Sequence, residues 1–248
     1  MNVLKRIWSL WVGVWFFGFF LLIFPLHFLL LQFDTRFTHS LAHRLNTLWA
    51  FVVLASALTL VKVRRNGKLP HGQSLVFISN HRSYFDIPIL HVALPRTFRF
   101  IGKAELTKVP LFGYMYARLH IMVDRSSKQG RAKSVQEADR RIKAGDNLFI
   151  FPEGTTKQPH DHQLGLLRDG AFKLAIDNGL PIVPIAILRS NQALSNEGKF
   201  LMQPLVWVEV FVEPPIDTRG MTEADLPALR DRCAQAIEQH LKLLTPVS

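Results

Sequence analysis

The chain has 248 residues, a formal net charge of +11 and a sequence pI near 10.2, which favours anionic partners such as nucleic acid, acidic lipid or a phosphorylated substrate. The length fits one domain with an appendage, or at most two small domains. The single cysteine, Cys233, excludes an intrachain disulfide framework and is compatible with a reducing compartment.

Residues 7–31 form a run of 25 positions without Asp, Glu, Lys or Arg. As a helix it would reach about 37 Å, against about 30 Å for the hydrocarbon core of a bilayer. Lys5 and Arg6 precede it, as in a signal peptide. The run exceeds a signal core, however, and no small-residue cleavage site follows, so it is read as retained. Pro25 and His27 predict a kink or a turn within it. Residues 45–61 form a second uncharged run of 17, followed by Lys62, Arg64 and Arg65. Basic residues at both outer ends predict a hairpin that crosses or dips into a membrane, with the rest of the chain on the cytoplasmic side. Neither run shows a polar face, which disfavours two buried helices of a soluble protein. The predicted division is a membrane-associated two-helix segment at 1–65 and a globular domain at 66–248, with a turn-rich linker at 66–72.

In the globular part, apolar runs of strand length alternate with helical patterns. Strands are predicted over 74–79, 98–101, 119–123, 147–151, 182–187 and 206–212, and helices over 87–94, 127–144, 168–178 and 222–243. This alternation predicts an α/β fold with a mainly parallel sheet flanked by helices. In the final helix Thr222-Glu223-Ala224-Asp225 reads as a capping box. Leu226, Leu229, Cys233, Ile237, Leu241 and Leu244 follow at helical spacing, so Cys233 reads as a small buried hydrophobe.

The chemistry concentrates in Asn80-His81-Arg82-Ser83-Tyr84-Phe85-Asp86, between a predicted strand and a predicted helix. In a straight helix His81 and Asp86 would point to different faces, whereas a turn lets them meet. An imidazole takes a proton near neutral pH, and a carboxylate on its other nitrogen fixes the tautomer. There is no Gly-x-Ser-x-Gly elbow, so the base is expected to activate a hydroxyl of the substrate. The structural alternative is that Ser83-x-x-Asp86 simply caps the helix.

The pattern Asn80-His81-x-Ser83-x-x-Asp86 resembles the first signature of the glycerolipid acyltransferase family, whose best-known members are the 1-acylglycerol-3-phosphate acyltransferases. Lys103-Ala104-Glu105-Leu106 with Pro110, Gly113 and Val123-Asp124-Arg125 resembles the second. Phe151-Pro152-Glu153-Gly154-Thr155 resembles the third, and Val183-Pro184-Ile185-Ala186 the fourth. The resemblance covers residues 69–213, and the four blocks stand in the family's order. It implies a membrane-bound enzyme that moves a fatty acyl group from acyl-CoA or acyl-carrier protein to the free hydroxyl of 1-acylglycerol 3-phosphate, giving phosphatidic acid. It implies His81 as base, Asp86 as its orienting group, and Lys103 and Arg125 as donors to the acceptor's phosphate. Glu153 would bind the glycerol hydroxyls or organise its loop, with Gly154 and Thr155 in the same turn. The fourth block is read as a buried strand.

One departure bears on the acceptor. The family often has arginine where this chain has Thr156, which removes one expected phosphate contact and leaves Lys157 or Arg168 to replace it. His39, His43 and His160-Asp161-His162 lack the convergent ligand set of a catalytic metal centre, and neither metal nor cofactor is expected. Three alternatives stay open: another lysolipid acceptor, a non-catalytic basic protein that binds membrane lipid, and, more weakly, a nucleic-acid binder without a recognised motif.

Overall fold

The structure, a computed structural model, describes residues 2–123, 128–156, 163–195 and 201–244, and of Asn2, Lys103, Lys128 and Arg131 the backbone only. Two helices open the chain, α1 (Asn2–Leu30) and α2 (Arg36–Ser56). They are followed by β1 (Thr59–Arg65), β2 (Val76–Ser79), α3 (Asp86–Ala93), β3 (Phe98–Lys103), α4 (Phe112–Leu119) and β4 (Ile121–Val123). The remainder is α5 (Lys128–Lys143), β5 (Asn147–Ile150), α6 (Gly170–Asp177), β6 (Ile182–Leu188), α7 (Ser190–Ala193), β7 (Val206–Val212) and α8 (Leu226–Leu241).

The seven strands form one sheet in the order β1-β7-β6-β2-β5-β3-β4, parallel at every pairing except β6 with β7. Its central strands are buried on both faces, so they read as unbroken apolar runs; all seven residues of Ile182–Leu188 are buried. Alternate side chains feed two cores. Phe77, Phe149, Val183 and Ile185 join the core under α2, α3 and α4. Val76, Ile78, Leu148 and Ile182 join the core under α5, α6 and α8. This is the predicted mainly parallel α/β sheet with helices on both faces. One consequence positions everything below. The C-terminal ends of β2, β3, β5 and β6 share one end of the sheet, and β7 and β1, which run the other way, start there.

Three sequence expectations change. The second apolar run is not a single helix. Helix α2 starts nine residues before it and stops at Ser56, and Leu58, at φ 49°, turns the chain into β1. Residues 59–65 then pair along their whole length with β7, so they belong to the sheet and not to the two-helix segment. No turn forms at Pro25: α1 continues to Leu30, and His27 is fully buried with Nε2 3.0 Å from Asn46 Oδ1 on α2. Helix α4 was not foreseen; it starts after Leu111, another leucine at positive φ, with no glycine or proline signal at that position.

Among the described residues, α1 is the one helix long and apolar enough to cross a membrane, with mean hydropathy 2.1. Helix α2 instead lies against the α/β unit. The rings of His43 and of His91 on α3 meet at a tilt of 49° with centroids 4.7 Å apart, and Trp49 Nε1 donates to Phe16 O of α1 at 3.0 Å. The terminal helix follows its sequence pattern. The Thr222–Asp225 capping box is formed, and Leu226, Leu229, Cys233, Ile237 and Leu241 are buried.

Candidate active site

The turn between β2 and α3 is fastened at both ends. Asn80 is fully buried and pairs with the main chain of Ile187 in both directions: Nδ2 donates to its carbonyl and Oδ1 accepts from its N–H, each at 2.8 Å. Ser83 Oγ donates to Leu194 O at 2.8 Å and accepts from Phe85 N at 3.0 Å. The two ends of β2 and β6 are thereby locked side by side, with the intervening turn projecting from the C-terminal end of the sheet.

Within that turn His81 Nδ1 lies 2.7 Å from Asp86 Oδ2. A carboxylate oxygen only accepts, so the proton sits on Nδ1 and Nε2 is the basic nitrogen. The same Oδ2 accepts from the backbone N–H of Arg82 at 2.9 Å and of Ser83 at 3.0 Å. The Ser83-x-x-Asp86 capping box is not formed, since α3 has Phe85 at its N-cap without a side-chain cap; the Asp86 carboxylate instead holds the imidazole and the turn's amides. Asp86 is fully buried, whereas the His81 side chain keeps 15% exposure and is reachable from the open end of the sheet. Its ring stacks on Phe151 with centroids 3.9 Å apart and planes 14° from parallel, which fixes its tilt.

The third block meets the first through Glu153. Its carboxylate accepts from Arg82 Nη1 at 2.8 Å on both oxygens, from His81 N at 2.9 Å and from Gly165 N at 2.8 Å. Arg82 Nη2 also donates to Gln163 O. The Glu153 side chain is wholly buried. Of its two expected roles the geometry is that of loop organisation, since its oxygens are committed to protein donors. Gly154 has φ 68°, a left-handed conformation that favours glycine, and its N–H donates to Phe151 O at 3.0 Å. That amide therefore closes the turn instead of facing an anion. Thr155 and Thr156 follow, half-buried. Arg168, exposed, has its backbone N–H on Pro152 O at 3.0 Å, at the rim of the same loop.

Five amides of the turn between β2 and α3 are likewise committed. Those of His81, Arg82, Ser83, Phe85 and Asp86 all donate to protein acceptors. A donated N–H has nothing left to offer a developing oxyanion, so these five amides do not form an oxyanion hole.

Of the second block, Lys103 ends β3 and pairs with Val123 at the end of β4. Arg125 lies outside the described residues, as do Lys157 and His160-Asp161-His162. The pairing still brings position 103 and the chain leading to Arg125 to the end of the sheet that carries His81. The fourth block is the fully buried β6. Its Ile187 receives Asn80, so it acts on the site through the backbone.

Three contributors were not singled out from the sequence: Arg82, Phe151 in its stacking role, and Asn80 as a strand clamp. Opposite charges at Arg82 and Glu153 were visible, but 71 positions separate them and nothing local says that they meet. His39 and His43 are both buried in α2, and His39 Nε2 has Asp34 Oδ1 at 3.6 Å, a carboxylate the sequence reading did not bring near it. Burial pushes the Cys233 thiol up to about 12, as fits a core residue.

A family model described as Acyltransferase matches residues 60–188, slightly more than half of the chain. The chain is 32% identical over 179 residues to the human 1-acyl-sn-glycerol-3-phosphate acyltransferase beta, covering 71% of this chain and 63% of that one. It is 29% identical over 195 residues to the lyso-ornithine lipid O-acyltransferase of Pseudomonas aeruginosa, covering 73% of each. Its fold is that of the 1-acyl-sn-glycerophosphate acyltransferase PlsC from Thermotoga maritima, with a TM-score of 0.78 at 20% identity over 98% of this chain and 99% of that one. The chain spans 46% to 63% of the length of the first curated relatives it matches.

Proposed function

The chain belongs to the acyltransferase family, and from that premise we propose that it moves a fatty acyl group to the free hydroxyl of 1-acylglycerol 3-phosphate, giving phosphatidic acid. The observation that carries this is the 2.7 Å contact of His81 with the buried Asp86, on an imidazole still open at the end of the sheet. His81 Nε2 takes the hydroxyl proton of the acceptor as its oxygen attacks the thioester carbonyl of acyl-CoA or acyl-carrier protein. Asp86 holds the Nδ1 proton and stabilises the imidazolium. The tetrahedral intermediate collapses, the C–S bond breaks, and the thiolate takes the proton back from Nε2. The donor to the oxyanion is none of the amides of His81, Arg82, Ser83, Phe85 and Asp86, which are spent. Lys103, Arg125 and Arg168 supply charge-assisted donors to the acceptor's phosphate. Gly154 and Thr155 shape the rim beneath it, and Glu153 acts as a positioning residue. Helix α1 holds the enzyme at a membrane, with the α/β unit on the cytoplasmic side.

A second acceptor class is favoured by one observation. Thr156 stands where a phosphate-binding arginine is common, and a lyso-ornithine lipid, the acceptor in the name of one relative, carries no phosphate. The test is an assay of the purified full chain in mixed micelles, with acyl-CoA and acyl-carrier-protein donors against 1-acylglycerol 3-phosphate and lyso-ornithine lipid. Preferred turnover of the phosphorylated acceptor is expected. Turnover of the ornithine lipid alone would replace that acceptor, and turnover of neither would remove the enzymatic reading.

A further inference from the structure

The end of the sheet that carries His81 also carries an apolar surface that the catalytic reading does not use. Leu58, Leu60, Leu205 and Trp207 are between 44% and 68% exposed. Leu60 and Trp207 are register partners on β1 and β7, so their side chains stand together on one face of the sheet. Leu58 and Leu205 immediately precede the paired starts of those strands, Thr59 and Val206. Both are left-handed, at φ 49° and 58°. A leucine is strained in that region, where glycine or asparagine would be at ease. Strain of this kind persists where the surroundings or the function require it. In water neither leucine recovers the cost by burial.

Nothing else among the described residues covers this surface. Helix α8 protects the same sheet face only as far as Phe211, on which His240 stacks at 4.0 Å. Past the apolar plate, the same strand face turns basic with Lys62 and Arg64, both exposed. Glu209 there is shared by Arg64 at 3.4 Å and Arg189 at 3.2 Å. Three residues before Leu205 the chain touches α1, where Ser9 Oγ accepts from Met202 N at 2.9 Å. Leu4, Ile7 and Trp11 of α1 are exposed as well, with Lys5 and Arg6 between them in sequence.

We propose that Leu58, Leu60, Leu205 and Trp207 are an insertion plate that seats the catalytic end of the sheet in an anionic bilayer surface. Leucine tips entering the acyl region, a tryptophan at headgroup level and a basic band behind them match the layering of such an interface. The segment after β6 links plate to catalysis: Leu194 receives Ser83 Oγ, and Leu205 ends the same segment. Seating the plate therefore turns the mouth beside His81 toward the lipid acceptor, and α1 alone does not fix that orientation. The inference rests on the membrane location proposed above.

The experiment places a nitroxide at Trp207→Cys and, separately, at Asp177→Cys at the opposite end of the sheet, in the full chain bound to phosphatidylglycerol–phosphatidylethanolamine vesicles. Cys233 is buried and stays unlabelled. Power saturation is expected to find position 207 accessible to oxygen and shielded from a nickel chelate, and position 177 the reverse. If the protein sediments with the vesicles while position 207 is open to nickel, the plate is wrong and the membrane location stands. If the protein does not bind vesicles, both are wrong. As a second measure, Leu58→Asn with Leu205→Asn should leave the melting temperature equal or higher and turnover in mixed micelles unchanged, while partition onto the vesicles falls roughly tenfold or more. Unchanged partition overturns the proposal.

Discussion

Arg82 Nη1 lies 2.8 Å from each carboxylate oxygen of Glu153, and both side chains are almost wholly excluded from solvent. The pair clamps the His81 turn to the loop after β5. Removing one partner leaves the other charge buried, so Glu153→Leu or Arg82→Met alone should cost about 3–5 kcal/mol, and the double change much less. Chemical denaturation of the three variants checks this. For Glu153→Gln, kcat should fall while KM for the acceptor holds. A raised KM with kcat unchanged would instead put Glu153 against the substrate.

His81→Ala should lower turnover by about 10²–10⁴-fold, the range of a lost general base, with little change in the circular dichroism spectrum. Among the described residues the side chain makes one hydrogen bond and one ring contact, so the fold does not depend on it. Full activity in that variant would refute the base assignment.

Arg125→Ala should raise KM for a phosphorylated acceptor and leave KM for a lyso-ornithine lipid alone, because only the former offers a dianion to the guanidinium. Arg168→Ala should do the same to a smaller extent. Steady-state kinetics with both acceptors separates a phosphate contact from a general loss of structure.

Acid should loosen the contact between α2 and the α/β unit. His91 of α3 and His120 before β4 are held neutral by burial first, then by the neighbouring His43, with Arg99 also facing His120; His120 is lowered to about 3. Unfolded imidazoles titrate near 6.5, so below that pH the unfolded chain binds the extra protons. The stability these neutral rings contribute is complete above about pH 6.5 and drains as pH falls toward about 3, at up to about 1.4 kcal/mol per pH unit for each group. The melting temperature should therefore fall from pH 7 to pH 5. His91→Leu should flatten that fall, since His91 Nδ1 is buried without a hydrogen-bond partner and only its titration is lost there. An unchanged slope would exclude His91 as a source.

Gly113→Ala should destabilise the α4 region. A Cβ at that position would stand 2.0 Å from Thr107 O, a backbone atom that cannot swing aside. A loss of about 1–3 kcal/mol, the cost of overpacking, should appear in thermal melts.

The strands and helices that the sequence announced were those whose burial repeats locally. Leu226, Leu229, Cys233 and Ile237 recur at helical spacing and are buried together, and the apolar run 182–187 became the fully buried β6. Strand β1 was hidden because Leu58 makes the helix-to-strand switch with a leucine, where the expected signal is glycine or asparagine. Helix α4 was hidden behind Leu111 in the same way.

The candidate catalytic pair was legible because His81 and Asp86 are five positions apart, within reach of one turn. Its surroundings were not. Asn80 on Ile187, Glu153 on Arg82 and Leu60 beside Trp207 each join segments brought together by the order of strands in the sheet. Side-chain periodicity sets which face of an element is buried; it carries no information about which distant element returns to lie against it. The amino-acid order thus determined the elements and the reactive turn. Chain return in three dimensions decided that Glu153 takes the His81 amide and is sealed inside. It also decided that the mouth of the site shares its end of the sheet with an exposed apolar plate.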